Sequence, residues 1–145
     1  MVAHWTAVAV AALFVWLGMV LAISFLEAPL KFRAPGVTIA LGLGIGRLVF
    51  RALNTCEAVL AAVIVVALVI GTPSTGVVAA VLVAVAALLI QLIAVRPALT
   101  RRSDAVLADA RQGEAGRSQA HYAYVVVEVV KVVALLVGGV LLLNF

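Results

Sequence analysis

Apolar residues gather into four long runs along the chain: roughly Trp5 to Leu26, Leu53 to Ile70, Val77 to Val95 and Tyr122 to Leu143. Each run is about 18–22 residues long, enough to cross ~30 Å of hydrocarbon as an α-helix. None alternates polar and apolar positions as the strands of a membrane barrel must. Helices, moreover, satisfy their own backbone groups in lipid. The pattern predicts an all-α fold, a polytopic membrane protein built as a four-transmembrane-helix bundle, with residues 1–145 forming a single domain.

The connections differ in character. "GTPSTG", Gly71 to Gly76, is a short uncharged turn. Residues 96–121 form a long, polar, basic loop whose middle, Ser103 to Arg111, suits a short surface helix with Ser103 as N-cap and Asp104 in the first turn. The first connection is long yet mostly apolar. A single helix from Gly36 to Ile70 would exceed ~50 Å, more than a bilayer core, so Gly36–Arg51 is expected to lie as an amphipathic or interfacial stretch between helices one and two, or to protrude. Gly42, Gly44 and Gly46 within it lack the strand-turn-helix context of a dinucleotide fingerprint. They point to close helix packing or a bend, with a re-entrant segment as the sharper alternative.

Composition agrees with lipid as the solvent. The chain is 67% hydrophobic and 11% charged, against about 45–50% and 25% in soluble domains. The Ala, Val and Leu bias fits a GC-rich bacterial genome. A single cysteine, Cys56, allows no internal disulfide. "MVAHW" has no basic n-region and no clear cleavage site follows, so the first run is expected to be a retained helix and not a signal peptide. No lipidation motif is seen.

The net charge of +4 is distributed unevenly. Lys31, Arg33, Arg47 and Arg51 fall in the first connection, and Arg96, Arg101, Arg102, Arg111 and Arg117 in the third. Only Lys131 lies inside a run. The positive-inside rule then places those two connections in the cytoplasm and both termini outside, in a bacterial inner membrane. With no aromatic and basic surface pattern, a nucleic-acid partner is not expected.

Helical spacing sorts the misplaced polar residues into stripes. His121, Tyr124, Glu128 and Lys131 share one face of the last run; Arg47, Arg51, Asn54 and Glu57 share a face at the start of the second; Ser24, Glu27 and Lys31 share one at the end of the first. Gln91 comes from the third. Threaded as above, the stripes converge on a polar cluster in the cytoplasmic half. A charge at the bilayer centre costs about 2.5–3.5 kcal/mol on insertion scales, so these residues should face one another. Glu57 and Glu128 are the expected ion- or substrate-binding groups, with Lys131, Arg47 and Arg51 as counter-charges and with His121 and Glu27 nearby. Three readings stand open: a small transporter or channel-like protein moving protons or small cations; a scaffold or accessory subunit whose charges lock helix register; and a lipid- or quinone-binding protein.

Other signals are weak. A Cys56–Glu57–His metal site is conceivable from spacing alone, which leaves any metal undetermined. His4 reads as interfacial, and Trp5, Trp16, Tyr122 and Tyr124 read as belt or packing residues. There is no Walker loop, no G-x-S-x-G and no haem-ligand pair; no cofactor is expected and an enzyme is the less favoured reading.

The succession "FLEAPLKF", "GIGRLVF", "CEAVL", "RPAL" and "HYAYVVVEVVK" resembles small bacterial four-helix membrane proteins of unknown function. It is also loosely similar to the eukaryotic four-helix proteins associated with platinum-drug resistance. The resemblance implies a four-helix bundle and draws attention to Arg47, Glu57, His121 and Glu128. Four spans leave little room for a wide aqueous path within one protomer, so a conducting form is expected to be a homo-oligomer. The expected partners are the bilayer itself and another membrane protein.

Overall fold

The computed structural model describes residues 2–108 and 119–144. All regular structure among them is helical, and four helices are long and apolar enough to cross a bilayer. The first begins as α1 (Val2–Val20), passes through a π-helical segment (Leu21–Glu27) and ends as α2 (Ala28–Lys31). The second is α3 (Ile39–Gly71). The third is α4 (Thr75–Ile90), prolonged by a second π-helical segment (Gln91–Val95) and by α5 (Arg96–Ala108). The fourth is α6 (Gln119–Leu143).

Local chemistry explains the boundaries. The Thr38 side chain accepts a hydrogen bond from the Leu41 amide and caps α3, and Ser74 caps α4 through the Val77 amide. Between them the chain reverses through Thr72, which is held in the left-handed region at φ 47°.

Of the expectations for Gly36–Arg51, protrusion fits and a re-entrant segment does not. From Ile39 onward this stretch is the first half of the 33-residue α3, about 50 Å long, which extends past the apolar run at the basic end. Ser103 caps nothing: it lies inside α5. The rest of the expected surface helix, residues 109–111, lies outside the described residues.

Both long helices outrun their apolar patterns at a proline. Proline inside an α-helix removes one backbone bond and clashes with the carbonyl four residues back. In both places a π segment stands immediately before an X-Pro pair, Ala28-Pro29 and Arg96-Pro97. The Ala28 amide bonds to the Ile23 carbonyl and the Arg96 amide to the Gln91 carbonyl, a five-residue closure that widens the turn and lets the helix continue.

The bundle is not wound in sequence order. Helix α1 packs extensively on α3 and on α6, and α6 packs on α4, whereas the consecutive α3 and α4 touch little. Trp16, Leu13, Ile64, Val77, Ala84 and Leu135 lie in the shared core. Glycines permit the closest approaches: Gly138 faces Ala80 and Gly139 faces the Phe14 ring. At the basic end Gly42 lies under the Phe32 ring and Gly46 under the Lys31 ammonium, while Gly44 meets nothing. Close packing is therefore the role of two of the three spaced glycines. The outward faces remain apolar, with Val69 at 78% and Ile93 at 74% exposure, as suits helices whose surroundings are hydrocarbon.

Candidate polar site in the bundle interior

Four polar or charged side chains are fully buried among the described residues: Glu57, Gln91, Glu128 and Lys131. They come from three helices and meet at one place. Lys131 is the middle residue of α6, about 18 Å from either end at 1.5 Å per residue. It is 0% exposed, so the ammonium must be satisfied inside the bundle.

It is satisfied by two carboxylates. Lys131 Nζ donates to Glu57 Oε1 at 2.6 Å across the bundle and lies 2.9 Å from Glu128 Oε2 one turn back on its own helix. Glu57 Oε1 also accepts a hydrogen bond from the Trp16 indole Nε1 at 2.8 Å. Glu128 is held on all sides. Gln91 Nε2 donates to its Oε2. Ser24 Oγ donates to its Oε1 at 2.5 Å, and the Tyr124 hydroxyl donates to the same atom at 3.2 Å. Ser24 and Tyr124 are themselves 3.1 Å apart, and the Phe50 ring packs edge-on against Tyr124.

The two π segments acquire a purpose in this geometry. Ser24 lies in the first and Gln91 opens the second, so each supplies one of the polar side chains that bind Glu128. Single π turns inside α-helices recur at functional sites. Here they re-aim the helix just before each proline and present a hydrogen-bond donor to the core.

One polar atom stands apart. Among the described residues Glu57 Oε2 is buried and takes no hydrogen bond, whereas Glu57 Oε1 and Glu128 Oε1 accept two each and Glu128 Oε2 accepts one and lies against the Lys131 ammonium. The cluster also carries two carboxylates against one ammonium. It is not the charge-balanced set that the sequence suggests.

Of the sequence candidates, the structure brings together Glu57, Glu128 and Lys131. It leaves out the proposed arginine counter-charges. Arg47 is ten residues from Glu57 on the same helix, about 15 Å away, and its guanidinium pairs with Asp104 at 2.5 Å on the partly exposed surface between α3 and α5. The Arg51 side chain is exposed. Glu27 binds Lys31 at 3.4 Å, and Lys31 also lies over the Phe32 and Phe50 rings, so this pair forms a separate group nearer the basic end. His121 is exposed, its ring edge-on to Tyr122. Cys56 is exposed and unbonded, and no group of three His, Cys, Asp or Glu side chains among the described residues is placed to hold a metal.

Trp16 is the residue that sequence reasoning missed. It was read as packing or belt, yet it sits in the middle of its run, not at an end. A buried indole N–H needs an acceptor, and that position is the signal that could have found its role. Compared with known protein families, with curated proteins and with solved structures, the chain finds no match in any of the three.

Proposed function

We propose that the chain is a small multi-pass membrane protein that binds a proton or a small cation at the Glu57–Lys131–Glu128 cluster and carries it across the bilayer. The observation behind this reading is the unbalanced charge: two carboxylates share one ammonium at 1% exposure or less. Ionisable groups buried at bilayer depth are costly and mark ion pathways and proton relays. A passive lock that only fixed helix register has no need of a second carboxylate.

In this reading both termini face outward and the basic end faces the cytoplasm of a bacterial cell, since nine of the ten Lys and Arg side chains belong to connections one and three. The membrane is the inner membrane. The interior of one protomer is filled by side chains, so the carrier works as a homo-oligomer or by rocking of α3 against the α1–α6–α4 group.

A second reading is favoured by the density of bonds around Glu128. Ser24 and Gln91 from the two π segments, with Tyr124 and Lys131 from α6, gather three of the spanning helices around one carboxylate, which suits a register lock in a scaffold or accessory subunit. Proton, Na⁺ and K⁺ flux into liposomes separates the two. Transport predicts flux with wild-type protein that is lost in Glu128→Gln at unchanged assembly. A lock predicts no flux in either and a less stable variant.

A further inference from the structure

We infer that the ligand of the cluster is a single proton and that Glu57 Oε2 is the atom that holds it. The inference rests on the proposed function for its site, and it goes further by choosing between proton and metal cation and by assigning unequal roles to the two carboxylates.

Glu57 Oε1 accepts from Lys131 and Trp16, Glu128 Oε1 from Ser24 and Tyr124, and Glu128 Oε2 from Gln91 while it also pairs with the Lys131 ammonium. A proton placed on any of these oxygens displaces a donor already there. Glu57 Oε2 has no donor to displace. A carboxylate oxygen buried as a bare acceptor carries the full desolvation penalty; forming an O–H bond at that oxygen removes the charge without disturbing the rest.

Glu57 is in contact with Trp16 from α1 and Lys131 from α6; Lys131 in turn lies against Glu128, which Ser24 and Gln91 from the two π segments and Tyr124 from α6 bind. Only Lys131 is cationic. With one proton on Glu57 the cluster is neutral: Glu128 and Lys131 form the ion pair and Glu57 is a carboxylic acid. Glu128, with three hydrogen-bond donors and the ammonium beside it, is the fixed anion and Glu57 the exchangeable site.

A metal cation does not suit this site. Hard cations take six or more oxygen ligands. Glu57 offers one unengaged oxygen, its neighbours in contact are N–H donors, and one of them is an ammonium that repels a second cation. A proton needs one oxygen only. Loading takes a proton from a water molecule that reaches the site when the helices part, and release returns it to water on the other side.

Infrared difference spectroscopy of the full-length protein in lipid tests the assignment. Wild type should show the C=O stretch of a protonated carboxyl group that shifts in D₂O and does not change with Na⁺ or K⁺. Glu57→Gln should lack it, Glu57→Asp should move its frequency, and Glu128→Asp should leave it in place. No such band in wild type, a band that survives Glu57→Gln, or a band displaced by Na⁺ or K⁺ overturns the inference. Wild type alone suffices for the first and third of these outcomes, so a variant that fails to fold does not spare the proposal. A Glu57 band in a protein without flux keeps the proton site and retires transport, so the two proposals fail separately.

Discussion

Replacing Lys131 by methionine keeps the length and volume of the side chain and removes its charge. The structure sets the expected cost. Lys131 Nζ donates a hydrogen bond to Glu57 at 2.6 Å and pairs with Glu128 at 2.9 Å. Removing one partner of a buried ion pair costs about 3–5 kcal/mol, because the other charge is left buried and uncompensated. The assay is equilibrium unfolding in mixed detergent–lipid micelles, with Glu57→Gln/Glu128→Gln/Lys131→Met as the comparison. Lys131→Met should lose about 3–5 kcal/mol. The triple variant, which removes every charge together, should return to within about 1 kcal/mol of wild type, since replacing a whole buried ionic set is often neutral. A Lys131→Met protein as stable as wild type refutes the account, because it means the ammonium is not confined between the two carboxylates.

Other substitutions report on other parts of the argument. Trp16→Phe deletes the indole donor to Glu57 while keeping an aromatic ring in the core, and should cost about 1–3 kcal/mol in the same unfolding assay. Gly138→Leu drives a side chain into Ala80 and Leu13 and should cost about 1–3 kcal/mol by overpacking; Gly138→Ala, whose added carbon sits 3.4 Å from Ala80, should be tolerated. Arg47→Ala removes a partly exposed pair with Asp104 and should change stability by less than about 1 kcal/mol, leaving any flux intact, in contrast to what a counter-charge to Glu57 would do.

The legible part of this fold is the part written in hydrophobic periodicity. The four runs and the stripe of Tyr124, Glu128 and Lys131 follow from spacing alone, because three- and four-residue steps fix a helix face. Spacing also nominated Glu57 and Ser24 for the interior. What it could not weigh was partnership across helices. Arg47 and Arg51 share a stripe with Glu57, yet residues on one face several turns apart do not meet. Of the three expected counter-charges it is Lys131, from another helix, that pairs with Glu57. Helix ends are less legible: the apolar runs stop at Leu26 and Val95, whereas the helices continue through Pro29 and Pro97 to Lys31 and Ala108, each proline being absorbed by the π turn before it. The length argument leaves Gly36–Arg51 free to lie at the interface or to protrude, and α3 continues past the apolar run.

The central claim is that the buried charges move an ion and do not only hold the helices together. The triple variant Glu57→Gln/Glu128→Gln/Lys131→Met tests it most directly, because it is the variant expected to fold as stably as wild type with no charge left in the core. Proton flux into liposomes should be present with wild-type protein and absent with the triple variant at matched stability and incorporation. Equal flux through both, or none through wild type, contradicts the claim.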